Sequence, residues 1–250
     1  MKFSIKVLSI TLLLASASAQ AHFPWLLVAN PYPDMNKEAK IYMGWGHSFP
    51  LDGFMDKDRI SSLTLITPDG VESKLEMKND VEFRSSPLLQ SGVHIVLANQ
   101  GKGYYTKTKK GGERKPKTGL TDVVRCYYSD NSMKSIFNEG EDGILSKRFG
   151  HSLEIIPLSN PADLKSGDYM PVQVLYRGNP YDGMVMATYE GFSTDDAFAY
   201  AIDTDNDGKA NIRMLDRGRW LIHARLEEPY PDPNVCDVEA FTSTLTFTIR

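Results

Sequence analysis

The chain has 250 residues, of which 41% are hydrophobic and 24% charged, and its formal net charge is −4 at pH 7. A chain of this length is sufficient for one large or two small β domains. A mildly acidic protein lacks the basic surface typical of nucleic-acid binding, so nucleic acid is not expected as a partner.

The first predicted element is a cleavable secretory signal over residues 1–21. Two lysines and a short apolar run precede the small residues Ala19-Gln20-Ala21, which fit a signal-peptidase site. The run is shorter than the about 20 residues that span a bilayer, and no second one follows, so no membrane span is expected in the mature chain. The sequence therefore predicts a soluble, exported product, which we place in the periplasm.

Cleavage after Ala21 makes His22 the first residue of the mature chain, with a free α-amine beside its imidazole. These two nitrogens can close a chelate ring on one metal ion. The amine pKa is about 7.7–8.0 and the imidazole pKa about 6.5, so a metal can displace both protons at neutral pH. The alternative is that signal peptidase merely leaves a histidine without a role.

Short β-rich runs follow, separated by clusters of Gly, Pro, Asn and Asp, and few segments have helical periodicity. In the first half, strands are predicted at residues 25–29, 39–44, 62–67, 73–77 and 93–98. The basic segment 107–117 is predicted to be a solvated hairpin tip or loop, with an anion or membrane-surface patch as the alternative. Residues 122–137 are predicted to form a strand followed by a short helix.

Seven more strands are predicted at residues 153–157, 170–176, 184–189, 198–202, 210–214, 219–226 and 241–249. This spacing predicts an all-β fold built from β-sandwiches of immunoglobulin-like or transthyretin-like type. In the last strand apolar residues alternate with threonines, which predicts one largely buried face and one wet face. We expect two β-sandwich domains, 22–150 and 151–250.

The chain has two cysteines, Cys126 and Cys236. Export would place them where disulfides persist, and a bridge would tie the middle of the chain to its C-terminal region. We favour the bridge because an unpaired thiol is exceptional in an exported protein. Two separate thiols, one of them a soft-metal ligand, are the alternative.

The five histidines of the chain are His22, His47, His94, His151 and His223. His47 and His151 each follow a glycine and precede a serine, which predicts loop positions that can point into a cleft. With His22 they form a candidate set of three imidazoles and one amine, although a surface or hydrogen-bonded role is the alternative for each. Nitrogen donors of this kind suit Ni²⁺, Co²⁺, Cu²⁺ or Zn²⁺ rather than Ca²⁺ or Mg²⁺.

The two remaining histidines lie inside predicted strands, where a structural role is expected. His223 should point away from its own sandwich core, toward either the other domain or solvent. Residues 203–208 begin like a calcium loop, but Met214 stands where an EF-hand needs glutamate, so a tight turn is preferred. No catalytic motif stands out, and no enzyme activity is expected.

Four segments resemble the periplasmic nickel/cobalt-uptake accessory proteins, a family described as a domain of unknown function. They are AHFPWL at 21–26, GHSF at 46–49, GHSLEIIPL at 150–158 and AFTSTLTF at 240–247. The resemblance covers essentially the whole mature chain. It implies two β-sandwich domains and the capture or delivery of nickel, or alternatively cobalt, to the membrane components of an energy-coupling-factor type transporter.

By the same resemblance, His22, His47 and His151 are the expected metal ligands. Residues 178–220 separately resemble transthyretin-like modules, a likeness that concerns fold and not function. The basic segment 107–117 departs from the family pattern. Two other functions stay open: a structural or adhesion module with incidental histidines, and a copper oxidase whose terminal histidine forms a brace with a second histidine.

Overall fold

The computed structural model describes residues 22–140, 143–195 and 197–250, so the predicted signal segment 1–21 lies outside the described residues. The strands are β1 (Phe23–Val28), β2 (Glu38–Gly46), β3 (Gly53–Phe54), β4 (Ile60–Ile66), β5 (Glu72–Lys74), β6 (Glu76–Met77), β7 (Glu82–Pro87), β8 (His94–Gln100), β9 (Gly103–Thr108), β10 (Gly111–Glu113), β11 (Val123–Phe137), β12 (Leu153–Pro157), β13 (Tyr169–Tyr176), β14 (Asn179–Pro180), β15 (Met184–Tyr189), β16 (Tyr200–Asp203), β17 (Lys209–Arg213), β18 (Gly218–Pro229) and β19 (Val238–Ile249).

Helix is limited to two single-turn 3₁₀ segments in the described residues, Lys57–Arg59 and Pro161–Asp163. The prediction of an all-β sandwich fold is therefore confirmed. Within the same residues, neither helix has the length and hydrophobicity that a membrane crossing would need.

The strands form three sheets. A five-stranded sheet has the order β1-β2-β7-β6, with β3 beside β2. A ten-stranded sheet has the order β16-β15-β18-β19-β11-β8-β4-β5, and β9 and β10 extend it from β11. In the four-stranded sheet, β13 pairs with β12, β14 and β17.

The ten-stranded sheet is the middle layer, because its strands send alternate side chains to two separate cores. In β8, Ile95 belongs to a core shared with the four-stranded sheet, whereas Val96 belongs to a core shared with β1 and β2. In β11, Ile136 belongs to the core shared with the four-stranded sheet, and Met133 belongs to the core shared with β1 and β2. The five-stranded and four-stranded sheets therefore cover opposite faces of the ten-stranded sheet.

The prediction of a strand and a short helix over residues 122–137 is wrong. This segment is one 15-residue strand, β11, which pairs in parallel with β19 and antiparallel with β8 and β9. The polar residues Ser132 and Lys134 hid its strand character in the sequence. Both are buried and hydrogen-bond to carbonyl oxygens of β12, at Leu153 and Ile155.

The prediction that the threonine face of β19 is wet is also wrong. Thr242, Thr244 and Thr246 are each at most 3% exposed. The hydroxyl of Thr244 donates to the carbonyl oxygen of Pro24 at 2.9 Å, and that of Thr246 donates to the carbonyl oxygen of Leu26 at 2.8 Å. This polar face therefore holds β1, the strand that follows the expected mature N-terminus.

The disulfide favoured from the sequence is confirmed: Cys126 and Cys236 are bonded, with Cα atoms 5.0 Å apart and a sequence separation of 110. Close to this bond, β11 and β19 begin their parallel pairing at Tyr127 and Val238. The middle sheet thus takes strands from both predicted domains. The division into 22–150 and 151–250, and the transthyretin-like character of the second half, stay predictions.

The basic segment 107–117 includes the tip of the β9–β10 hairpin, whose strands pair from Gly111 with Thr108 to Glu113 with Thr106. Its stem is attached to the body by an ion pair between Lys117 and Asp237. A second ion pair, of 3.0 Å, joins Arg114, which follows β10, to Asp56. The hairpin therefore extends toward the segment that carries Arg59.

Candidate metal site

The expected mature N-terminus lies directly before a firmly held strand. Every residue of β1 is buried. Phe23, its first residue, is 3% exposed, and its ring centroid is 4.7 Å from that of His223 and 5.5 Å from that of Trp25. This packing fixes the backbone one residue after His22, so His22 is displayed from an ordered base although it is itself exposed.

Strand pairing brings the first two candidate histidines together. β1 and β2 are antiparallel, with Phe23 opposite Gly46. Continuing this register by one residue places His22 opposite His47, and directly opposed side chains on neighbouring strands are in contact distance. Their ring centroids are 4.1 Å apart with planes tilted by 53°. The His22 ring also stacks on Trp45, at 5.9 Å and 17°.

The loop that carries His47 is held by Asp52. One carboxylate oxygen of Asp52 accepts the backbone N–H of His47 at 2.8 Å and that of Ser48 at 3.4 Å. The Ser48 hydroxyl donates to the carbonyl oxygen of Thr194 at 2.8 Å. These contacts orient the half-buried His47 toward the end of β1.

The surroundings of the pair favour neutral imidazole at His22. Burial lowers the pKa of His22, and the neighbouring His47 and Arg59 lower it further, while Asp52 raises it. The pKa of Asp52 is also lowered, chiefly by the N–H donated from His47. A neutral His22 ring beside an ionised carboxylate is the state in which imidazole nitrogen can bind a cation.

The two imidazoles fit a shared metal ion. A metal about 2.0–2.1 Å from one nitrogen of each ring, with the two ligands about 90° apart at the metal as in a tetragonal site, sets the ring centroids roughly 4.5 Å apart. The observed 4.1 Å is close to that spacing. In addition, Nδ1 of His47 is buried and has no hydrogen-bond partner within the described part of the chain. Release of the His22 amine by cleavage would supply a third nitrogen.

The structure does not bring His151 to this pair. His151 precedes β12 on the opposite face of the middle sheet, where its charged neighbours are Glu154, Lys134 and Asp130. Lys134 and Glu154 form an ion pair of 3.0 Å, each side chain 3% exposed. Burial lowers the pKa of His151. The expected set of three imidazoles is therefore not assembled.

Among residues 22–140, 143–195 and 197–250, no cluster of three or more His, Cys, Asp or Glu side chains is arranged to hold a metal. The turn at residues 203–208, which begins like a calcium loop, is stabilised by hydrogen bonds between its own residues and their neighbours. The carboxylate of Asp205 accepts the N–H groups of Asp207 and Lys209 at 2.9 and 2.8 Å. The candidate site thus rests on two side chains and the expected terminal amine.

Sequence reasoning missed three neighbours of the pair: Trp45, Asp52 and Arg59. The guanidinium carbon of Arg59 lies 3.7 Å from the centroid of the Trp45 ring. The position of Trp45 between two glycines, two residues before His47, was a sequence signal that could have identified it. No sequence signal marks Arg59, because its contact with Trp45 depends on how the segment before β4 packs.

The two strand histidines have the structural positions expected of them. His223 is 3% exposed, faces β1, and its burial lowers its pKa to about 3. His94 is fully buried with Nδ1 2.9 Å from the carbonyl oxygen of Gly92, and burial lowers its pKa as well.

The chain belongs to the family described as domain of unknown function DUF4198, whose model matches residues 19–228. This membership confirms the part of the resemblance that concerns a domain of unknown function. The association with nickel and cobalt uptake stays a prediction. No curated protein matches the chain.

Three solved structures are similar over most of the chain at very low identity. They are Salmonella alpha-2-macroglobulin reacted with methylamine (10% identity, 92% of this chain, 15% of that one, TM-score 0.25), the fibronectin(III)-like modules of Clostridium thermocellum CbhA (7%, 90%, 94%, 0.21) and the D0-D1 domain of intimin (11%, 90%, 97%, 0.23). The chain spans only 15% of the first of these proteins. At such TM-scores the likenesses carry no argument about function.

Proposed function

We propose that this protein is a periplasmic binding protein for a late transition metal, held by the α-amine and imidazole of His22 and the imidazole of His47. The observation that carries the proposal is the 4.1 Å separation of the two rings. Buried β1 and the Asp52-anchored loop hold both rings in place before any metal arrives. Such preorganisation reduces the conformational entropy that binding must otherwise overcome.

The donor set favours Ni²⁺ or Cu²⁺ over harder cations. Imidazole suits nickel, copper and zinc, and nitrogen ligands in a tetragonal arrangement are typical of Cu²⁺ and Ni²⁺. We propose nickel, or alternatively cobalt, as the physiological cargo on the family resemblance. On the same basis we propose that the metal is delivered to the membrane components of an uptake transporter.

The decisive experiment is a calorimetric titration of Ni²⁺ into protein processed to begin at His22. The matched comparison is the same protein acetylated on the α-amine of His22, which converts the amine into an amide and adds no new amine. We expect the acetylated protein to bind Ni²⁺ at least tenfold more weakly, because one of three nitrogens is lost. Equal affinities would refute the role of the amine.

Two substitutions test the side chains. His47→Ala should abolish tight Ni²⁺ binding, whereas His151→Gln should leave the affinity unchanged because His151 lies across the middle sheet. A ligand that binds only the folded state raises its stability by about 2.7 kcal/mol at a hundredfold excess over Kd. No thermal shift in the processed protein would favour the alternative of a structural or adhesion module.

The copper oxidase is the second candidate, and the number of imidazoles favours it. With His151 apart, one terminal histidine and one further histidine on a β-sandwich remain, which is the donor set of a copper brace. This candidate predicts that copper-loaded protein consumes oxygen with a reductant and a polysaccharide present. Tight copper binding without oxygen consumption would leave metal carriage as the function.

A further inference from the structure

Arg59 places a guanidinium beside the candidate site. It ends the 3₁₀ turn Lys57–Arg59 and is partly buried. Its guanidinium carbon lies over the Trp45 ring, 3.7 Å from the ring centroid, and the same ring stacks on His22.

The carboxylates near Arg59 are engaged elsewhere. Asp56 pairs with Arg114 at 3.0 Å, and Asp52 accepts the N–H groups of His47 and Ser48. Within the described residues, Arg59 has no ion pair of its own. Burial and the nearby Arg114 lower the pKa of Arg59, whereas Asp56 raises it.

We propose that Arg59 binds the carboxylate of a small chelating acid that enters with the metal, so that the cargo is an anionic metal–carboxylate complex. This inference rests on the proposed function. Three protein nitrogens leave coordination positions free on a six-coordinate ion such as Ni²⁺, and carboxylate oxygens can fill them.

Electrostatics favour the complex over the bare ion. A guanidinium repels a bare divalent cation, and the repulsion is stronger at a partly buried site than in water. A carboxylate that bridges metal and guanidinium replaces this repulsion with two attractions. The planar guanidinium matches a carboxylate with two parallel N–H donors, a geometry that a lysine ammonium does not provide.

The β9–β10 hairpin extends the same positive field. Arg114 links the hairpin to Asp56, three residues before Arg59. Lys107, Lys109, Lys110 and Lys115 are exposed, and none forms an ion pair within the described residues. Clustered charge of one sign raises the local concentration of oppositely charged ligands, so the hairpin would draw anionic complexes toward the site.

The test compares calorimetric titrations of Ni²⁺ alone and of Ni²⁺ premixed with excess malonate, using processed wild type and Arg59→Gln. We expect wild type to bind the nickel–malonate complex at least tenfold more tightly than Arg59→Gln does. Bare Ni²⁺ should bind Arg59→Gln as well as, or better than, wild type. Arg217→Gln is the matched control, because it removes an exposed guanidinium in the turn before β18 that forms no ion pair within the described residues, and should behave like wild type.

If malonate merely competes for Ni²⁺, and weakens binding equally in wild type and Arg59→Gln, the inference is overturned while the proposed function stands. If neither protein binds Ni²⁺ in any form, the proposed function itself fails. Arg59→Lys guards against misfolding, since it keeps the charge over Trp45. If folded Arg59→Lys loses the malonate-dependent affinity, the result would support recognition of the carboxylate by two parallel N–H groups. If Arg59→Lys still binds nickel–malonate at least tenfold more tightly than Arg59→Gln does, the result would contradict that recognition.

Discussion

Gly46 connects backbone conformation to the candidate ligand His47. Its φ is +152°, and a Cβ there would lie 2.2 Å from a carboxylate oxygen of Asp52. We predict that Gly46→Ala displaces Asp52, releases the N–H groups of residues 47 and 48, and lowers Ni²⁺ affinity at least tenfold. The backbone strain should also reduce the free energy of unfolding by roughly 1–3 kcal/mol.

Calorimetry and urea denaturation of Gly46→Ala measure both effects. The matched control is Gly103→Ala in β9, where an added Cβ meets nothing within 4 Å. Gly103→Ala should keep wild-type metal affinity. Wild-type affinity in Gly46→Ala would contradict the role assigned to Asp52.

His223 predicts a particular dependence of stability on pH. Its pKa is about 3 in the folded protein because it is buried, with Arg225 adding to the effect, and it is near 6.5 when unfolded. Between about pH 6.5 and pH 3, His223 is protonated in the unfolded chain but stays neutral in the folded protein. The free energy of unfolding should therefore fall as pH drops from about 6.5 toward 3, by up to about 1.4 kcal/mol per pH unit from this group.

The measurement is urea denaturation at several pH values for wild type and His223→Leu. The variant has no titrating group at this position, so its free energy of unfolding should fall less steeply with acid over this interval. Carboxylates and the other histidines contribute to both proteins and cancel in the comparison. Identical pH dependences would show that His223 is not held neutral by the fold.

The candidate residues were predictable from sequence only where local pattern decides their place. His22 was found from the signal-cleavage pattern and His47 from its glycine-flanked position. His151 has the same local pattern as His47, but it precedes a strand of a different sheet, and no local pattern encodes which face of the middle sheet a loop meets. Arg59 was missed for the same reason.

At the scale of elements, β1 depends on the threonines of β19. Thr246 donates to the carbonyl oxygen of Leu26 and is bonded to the Ser135 hydroxyl at 2.9 Å. Thr246→Val should reduce the free energy of unfolding by about 1–3 kcal/mol, because it leaves a buried carbonyl without a partner. Hydrogen exchange should show faster opening of the β1 amides.

Thr248→Val is the matched control for Thr246→Val. Thr248 lies on the same face of β19, and its hydroxyl makes no hydrogen bond within the described residues. It should leave both stability and β1 exchange close to wild type. Equal losses from the two substitutions would indicate that hydrophobic packing, and not the hydroxyl bonds, holds β1.

Most strands were predictable as elements, and β12 and β15 have the predicted bounds. The sequence did not predict that polar residues in these strands are buried. A strand that alternates apolar residues with threonines is expected to have one buried face and one solvent-exposed face. Here the middle layer is covered on both faces, so threonine hydroxyls, Ser132 and Lys134 are buried with hydrogen-bond partners. A three-layer arrangement makes hydropathy alternation a poor guide to exposure.

At the scale of the whole molecule, the pairing of β11 with β19 links distant parts of the chain. The two strands are parallel over nine residue pairs, from Tyr127 with Val238 to Ser135 with Thr246. Parallel pairing needs a long crossover connection, and here the connection includes the entire four-stranded sheet. The presence of two cysteines in an expected exported chain predicted the Cys126–Cys236 bond, but it carried no information on this pairing.

This topology predicts that the chain unfolds as one unit. β19, from the predicted domain 151–250, lies between β18 and β11 and so shares its hydrogen bonds with the predicted domain 22–150. Loss of either half would expose a long edge of the middle sheet. We expect one calorimetric transition whose calorimetric and van't Hoff enthalpies agree. Two separate transitions would instead support two independently folding domains.

The disulfide gives this expectation a second measurement. Its loop of 110 residues should make the Cys126→Ser/Cys236→Ser protein less stable by roughly 2–5 kcal/mol, since the unfolded chain is no longer constrained. The transition should shift to lower temperature but stay single, because nine backbone pairs still join β11 to β19. If loss of the disulfide splits the transition in two, then the covalent bond, and not the shared sheet, couples the halves.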